Sequence, residues 1–551
     1  MSLLPMYQSR YHKPSTTAAI FRGPRVAAID YTATVDTVRR DLTAKFDIVL
    51  RNGSSIASNF TSLGAYTAFI QGVKAINPTI KWLNYVIVNQ WNTSNGAWSA
   101  LANDLNATGG KGGLDGKPWW VFDAGTSTQL LLDGSPMVNL TTAVAADSNG
   151  DRWPQVCGKW WINTMYSGAL GAALGMDGVW TDNTFYAPRK SNDANLKIGD
   201  INLDGVNETI GGDGRASSST IRAAYRTGVQ AFWTQMSSLH SGLKIGGNSD
   251  YDASAQKASV DTTELTGRCD YPFLESCTGK SFSTENSAGF SGWMTWYASA
   301  ENGCKAGGSV WVHASADSVT NASRAYRIAR YILAVAHLRN GYACVADNPS
   351  GGSNQPIWYS DFDPLVANIG TAVDPVQTAA WSSNVWRRRY QNGAVFVVPT
   401  DTHGGYFRLG GLSLIRTANV VTLSGSGLTG HGAVAGDLIR WEMDGVTPAD
   451  GSFKGCFAIT AVTATSISWA QTGAADTSSL TGVEMGWWAL QTTIDLTGQG
   501  YKRILTTSDA HNNYDGTLVS GSAPVYTSQN DGTACGLVKL WAGDGLVVVA
   551  A

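Results

Sequence analysis

Two acidic residues in this chain stand at the ends of apolar runs. In Met176-Asp177-Gly178-Val179-Trp180-Thr181-Asp182-Asn183, Met176, Gly178 and Trp180 alternate with Val179 as in a strand buried on both faces. Thr181-Asp182-Asn183 is too polar to continue inward, so Asp182 is presented at the strand's tip. A second run, Cys269 to Glu275, ends in Leu274-Glu275 before the polar turn Ser276-Cys277-Thr278-Gly279-Lys280. Hydrolysis of a glycosidic bond needs such a pair: one carboxylate meets the developing oxocarbenium ion, as nucleophile or through water, and the other protonates the leaving oxygen. Asp182 takes the first role and Glu275 the acid/base role. Glu264, in Thr262-Thr263-Glu264-Leu265, is the rival for the second position, and the competing reading of Asp182 is a cap for a following helix or turn.

Acids at strand ends imply a frame that brings those ends to one face, as a (β/α)8 TIM barrel does at its carboxyl side. From residue 24 to 375 apolar runs alternate with helix-like stretches. The expected strands are Val26–Asp30, Phe46–Arg51, Lys81–Ile87, the run ending at Asp182, Leu243–Asn248, Cys269–Glu275, Gly308–His313 and Gly341–Val345. Helices are expected over Val35–Lys45, Leu63–Ile76, Thr220–Leu239, Gly289–Glu301 and Ala322–Arg339, with another near Trp160. The long excursion from Trp91 to Cys157 contains Pro118-Trp119-Trp120-Val121-Phe122-Asp123 and reads as an elaborated lid with its own strand. Polar residues at strand ends are candidates to bind substrate: Asp30, Arg51, Asn84, Tyr85, Asp123, Asn248 and His313. Arg51 suits either a substrate carboxylate or an internal pair with Asp30, and His313 either a substrate contact or a satisfied core or rim position.

After an N-terminal arm (1–23) and the barrel (24–375), short alternating runs with Gly and Asn turns predict an all-β sandwich over 376–409 and 488–551. A small β module of four short strands is expected between its halves, at 410–487. Within the barrel region, Asp200-Ile201-Asn202-Leu203-Asp204-Gly205 matches the first half of a calcium loop, with Asp200, Asn202 and Asp204 as oxygen ligands. The twelfth loop position is Gly211 where a bidentate Glu is expected, so the loop is no EF-hand. A structural calcium and an Asx-turn-rich loop both remain open, and the chemistry proposed for the acids requires no cofactor.

Composition narrows the class. Among 551 residues, 15% are charged, below the ~25% of an ordinary soluble protein. The 62 Gly, 21 Trp and 20 Tyr describe a turn-rich, aromatic-rich chain whose rings suit sugar stacking as well as cores. A net charge of −3 supplies no field for phosphate backbones, which argues against a nucleic-acid partner. Seven scattered cysteines without a Cys-x-x-Cys pair argue against a disulfide framework or structural zinc. No run reaches the ~18 apolar residues of a membrane span. The start, Met1 to Gln8, lacks a basic region followed by an apolar run, so no secretory signal is expected. A protein acting on an outside polysaccharide would then leave the cell another way, such as within a virus particle released by lysis.

Four stretches carry a family resemblance: Asp177 to Asn183, Ile201-Asn202-Leu203-Asp204-Gly205, Phe273-Leu274-Glu275 with Thr278 to Glu285, and Arg388-Arg389-Tyr390-Gln391-Asn392-Gly393. They resemble, in order over residues 24–405 and 489–551, a family of TIM-barrel glycoside hydrolases of bacteria and their phages, glycosyl-hydrolase-like family fifteen. The resemblance implies a barrel followed by a β-sandwich, with sugar hydrolysis at the barrel mouth. A more distant similarity to α-galactosidase-like barrels, whose acids sit on strands four and six, supports Asp182 and Glu275. The module at Gly427-Leu428-Thr429-Gly430-His431-Gly432 resembles one common in phage tail proteins. That implies a virion-associated or extracellular depolymerase of capsule, exopolysaccharide or O-antigen, with other tail proteins as partners. The alternative is a tail or adhesion protein that binds sugar on the same scaffold without catalysis.

Overall fold

The structure, a computed structural model, describes residues 24–31, 35–51, 63–91, 119–132, 134–166, 175–184, 187–191, 196–212, 214–249, 267–278, 284–316, 322–347, 355–356, 358–363, 367–382, 384–400, 404–408, 412–444, 455–472, 485–504 and 532–551. Eight strands follow one another in chain order in one sheet: β1 (Val26–Asp30), β2 (Ile48–Arg51), β3 (Lys81–Ile87), β4 (Gly178–Thr184), β5 (Lys244–Ser249), β6 (Tyr271–Leu274), β7 (Trp311–Ala316) and β8 (Tyr342–Asp347). β8 pairs back to β1, so the sheet closes as a barrel, and a short strand Gln355–Pro356 adds to β8 antiparallel. Helices α1 (Thr37–Thr43), α2 (Leu63–Ile76), α3 (Trp153–Trp160), α4 (Ser219–Leu239), α5 (Thr284–Gly303) and α6 (Ala322–Leu338) alternate with the strands. The fold class expected from the sequence is the one found.

The parallel pairs are stapled at the ends opposite the candidate site. Asp177, just before β4, accepts from the Trp82 N–H of β3 and from Lys74 Nζ, each at 2.9 Å. Asp270, before β6, does the same for β5 through Ile245 N–H (3.0 Å) and Lys244 Nζ (2.8 Å). Each acid thereby fixes the register of its neighbour, and register decides which side chains face inward. Helix α4 covers its part of the sheet with a stripe of Ile221, Tyr225, Val229, Phe232, Trp233 and Met236, the spacing of an amphipathic helix, and Ser218 caps its start. Gly246 on β5 clears space for a barrel ring: a Cβ there would fall 2.6 Å from Cδ1 of Trp180.

Boundaries differ from the sequence reading at several places, β7 among them, which runs Trp311–Ala316 rather than Gly308–His313. Strand β4 does not stop at Asp182 but runs to Thr184, and its pairing with β5 shifts between Thr181 and Thr184. The excursion carries a short strand pair of its own, Leu131–Leu132 with Ser135–Pro136, while Trp119 to Asp123 makes only the isolated bridges Trp120↔Val138 and Phe122↔Gln129. This last segment is held instead by burial of Trp119, Trp120 and Val121. The stretch Thr284–Gly303 is two helical pieces joined at Gly289, where the backbone leaves helical geometry at φ 69°, so the second piece starts where the sequence reading placed its helix.

The C-terminal region is antiparallel. Strands β9 (Trp386–Tyr390), β10 (Gly393–Val398), β18 (Tyr501–Arg503) and β20 (Asp544–Ala550) form one sheet. A second sheet holds β11 (Gly404–Arg408), β12 (Leu412–Thr417), β13 (Val420–Gly425), β14 (Leu438–Asp444), β15 (Gly455–Thr463), β16 (Ser466–Ala470), β17 (Met485–Asp495) and β19 (Leu537–Trp541). Phe396, Val398, Leu546 and Val548 of the first meet Ala489, Ile494, Val538 and Leu540 of the second in one apolar core. Trp441, Trp469, Leu423 and Ile467 fill a separate core farther along the second sheet. The inserted region has one more strand than the sequence reading counted: Leu412–Thr417 pairs with β13 through all six residues. Helix α6 seats directly on β20, where Arg330 of α6 grips Asp544 through Nε (3.2 Å) and Nη2 (2.6 Å) with both side chains buried.

Candidate active site

Asp182 lies on β4 two residues after Trp180, so the two share a face, and Trp180 fills the layer beneath it. Tyr85 is the Cα partner of Trp180 on β3, and its ring stacks on the indole at 5.6 Å with 25° between planes. From that position the phenol reaches toward the strand tip and donates to Asp182 Oδ2 at 2.5 Å. Asn248, two residues beyond Gly246 on β5, donates from Nδ2 to Asp182 Oδ1 at 3.0 Å. Both carboxylate oxygens thus accept a hydrogen bond from an uncharged side chain, one from each flanking strand. Such bonds favour the charged acceptor and fix its rotamer. The shift in the β4–β5 pairing falls at this point, and an extra residue there re-aims the strand as bulges beside active sites do. Asp182 itself is half-buried.

Glu275 is presented differently. It is the first residue past β6, exposed, while Ser276, Cys277 and Thr278 after it are buried. The turn is attached to β7 through His313, which accepts from Ser276 N–H at Nδ1 (3.1 Å) and from Cys277 N–H at its carbonyl (2.8 Å). His313 is 2% exposed, so its polar edge serves the turn from within the fold. Glu264 lies outside the described residues.

The remaining candidates form separate groups. Asp30, Arg51 and Asn84 are in-register Cα partners across β1, β2 and β3, and all three are buried. Arg51 Nη1 stands 3.4 Å from Asp30 Oδ2, and the guanidinium lies over Phe69 at 4.6 Å, so of its two readings the internal pair is the contact formed. Tyr66 beside it has its phenol pushed up to about 12 by burial, with Arg51 pulling the other way. The Asn84 amide meets no hydrogen-bond partner among the described residues. Asp123 is nearly inaccessible, and its carboxylate accepts from Asn207 Nδ2 (2.6 Å), Lys197 Nζ (2.7 Å), Thr126 Oγ1 (2.8 Å) and Gly125 N–H (3.1 Å). These contacts, Asn207 foremost, hold its carboxyl far below the usual range. A saturated acid of this kind organises the excursion and has no free oxygen lone-pair direction to offer a sugar.

In the loop at Asp200, the carboxylate accepts from Asp204 N–H (3.0 Å) and Gly205 N–H (2.9 Å), and Asn202 Oδ1 also accepts from Asp204 N–H (3.1 Å). These are Asx-type contacts that shape the turn. Glu208, which the sequence reading passed over, accepts from Asn202 N–H at 3.3 Å and titrates above the ordinary range, through burial first and then the nearby Asp204 and Asp200 charges. Among the described residues no group of three or more His, Cys, Asp or Glu is placed to hold a metal. All seven cysteines are free thiols.

No family model matches the chain, and no curated protein does. Solved structures do. The glycoside hydrolase domain of PelA from Pseudomonas aeruginosa aligns at 15% identity over 59% of this chain and 96% of that one, with a TM-score of 0.32. An alpha-amylase from Geobacillus thermoleovorans aligns at 9% identity over 84% and 98%, with a TM-score of 0.36. Eubacterium rectale Amy13B aligns at 8% identity over 85% and 96%, with a TM-score of 0.39. Likeness at this level assigns no activity, and the barrel assignment stands on the chain's own strand pairing.

Proposed function

We propose that this chain is a glycoside hydrolase in which Asp182 meets the developing positive charge at the anomeric carbon and Glu275 is the acid/base. The observation that carries the reading is the setting of Asp182: a half-buried acid at a barrel strand's carboxyl end, held on both oxygens by Tyr85 and Asn248. Hydrogen bonds from these uncharged donors favour a charged carboxylate, which suits a group that must face an oxocarbenium-like transition state. In this reading Asp182 bonds to C1 as nucleophile while Glu275, exposed on its turn, delivers its proton to the leaving oxygen as the bond from C1 to that oxygen breaks. Glu275 then takes a proton from the incoming water, which displaces Asp182 from C1.

The substrate class we propose is a bacterial surface polysaccharide, and the setting a phage tail or the extracellular space; both rest on the sequence resemblance of the barrel motifs and the inserted module. Purified protein incubated with capsule, exopolysaccharide or O-antigen is expected to release reducing ends. Binding without product would support the sugar-binding alternative instead.

A further inference from the structure

The turn that carries Glu275 is strained, and its backbone is tied to β7 and to α5. Ser276 has φ 47°, in the left-handed region that a residue with a Cβ enters at a cost, and it is 4% exposed. A strained conformation persists only where its surroundings over-determine it. Here two consecutive N–H groups, of Ser276 and Cys277, are taken by the ring and the carbonyl of the single residue His313. The next link, Glu285 N–H to the Cys277 carbonyl at 3.0 Å, ties the same turn to α5. Acceptance at Nδ1 requires a neutral imidazole with its proton on Nε2.

We propose that His313 is a positioning residue for Glu275. Resting on the reading of Glu275 as acid/base, it acts through the Ser276 backbone and not by touching sugar. Without an acceptor at the Nδ1 position, the buried Ser276 N–H is left unbonded, and the left-handed φ of Ser276 loses the bond made at that residue itself. The peptide then relaxes, and the carboxyl one residue earlier loses its aim. Displacements of about 1 Å in a reacting group cost on the order of a hundredfold in rate.

The test compares wild type with His313→Asn and His313→Gln in the full chain. Asn places Oδ1 where Nδ1 stood, whereas Gln places its polar atoms near the Nε2 position and leaves the Ser276 N–H without its acceptor. Amide hydrogen exchange over 275–278, which needs no substrate, is expected to accelerate about tenfold or more in the Gln variant and to stay near wild type in the Asn variant. Reducing-end release should fall roughly 10- to 100-fold in kcat with KM unchanged for Gln, and be largely retained for Asn. Unchanged exchange in the Gln variant overturns the proposal whatever the activity. A rise in KM at constant kcat also overturns it, by making His313 a substrate contact while leaving the hydrolase reading intact. Absence of release by wild type counts against the hydrolase reading alone, and the exchange result still decides whether His313 holds the turn.

Discussion

Asp182 and Glu275 are both acids at the carboxyl ends of barrel strands, yet they are supported at different levels of structure. Asp182 is held by its side chain: Tyr85 and Asn248 bind its two oxygens from the strands on either side, and Trp180 packs below. Glu275 is an exposed residue on a turn whose next two residues, Ser276 and Cys277, are bound through their backbone N–H groups to His313. A group that must meet charge at a fixed carbon benefits from a rigid rotamer. One that donates a proton and later accepts another benefits from a fixed origin in the chain.

The largest expected effect separates the two roles directly. Asp182→Asn should lower kcat by more than about 10⁴-fold on every substrate, because no leaving group replaces the lost carboxylate. Glu275→Gln should lower it by roughly 10²- to 10⁴-fold on the polysaccharide but much less on an aryl glycoside of the same sugar, whose leaving group needs no proton. Equal losses on both substrates for both variants would erase the distinction.

Next in size are the side chains that hold Asp182. Tyr85→Phe and Asn248→Ala are each expected to reduce kcat about 10- to 100-fold with little change in KM, measured as initial rates of reducing-end release. A change confined to KM would return Tyr85 and Asn248 to the role of sugar contacts. The smallest effect on rate is expected at Asp123. Asp123→Asn should leave kcat within about twofold, since its carboxylate is engaged by Asn207, Lys197 and Thr126. Its effect should appear in stability. A depressed carboxyl contributes stability that is fully present above the unfolded value of about 3.9 and is lost as pH falls toward the lower folded value. Thermal melts of the variant should therefore lie below wild type near neutrality and converge with it in acid below about pH 4. A parallel pair of melting curves would contradict this.

How much of this was legible in the chain follows from what is local. Alternation marked Lys81–Ile87 to the residue and located the apolar part of β4, because burial on two faces is written in consecutive residues. The same signal put Asp182 and Glu275 at strand ends and Tyr85 and Asn248 near them. It did not tell that Tyr85 and Asn248 turn to Asp182, because that depends on register between β3, β4 and β5 and on partners 97 and 66 residues away. Asp123 looked the same as Asp182 from its neighbours, a carboxylate after an apolar run. Its commitment to Lys197 and Asn207, 74 and 84 residues on, is invisible until the excursion folds back. The positive φ of Ser276 carries no composition signal, since serine there replaces the glycine or asparagine that would have announced it. Leu412–Thr417 was passed over because its hairpin turns on Ala418-Asn419, both at positive φ, rather than on a glycine.

The central claim, that Asp182 and Glu275 together cleave glycosidic bonds, is tested most directly by reducing-end release from a panel of purified bacterial surface polysaccharides. Wild type, Asp182→Asn and Glu275→Gln would be compared, with equal melting temperatures confirming the fold. Release by wild type from at least one polymer, and its loss in both variants, is the expected result. Release that persists unchanged in either variant, or no release by wild type from any polymer despite binding, would contradict it.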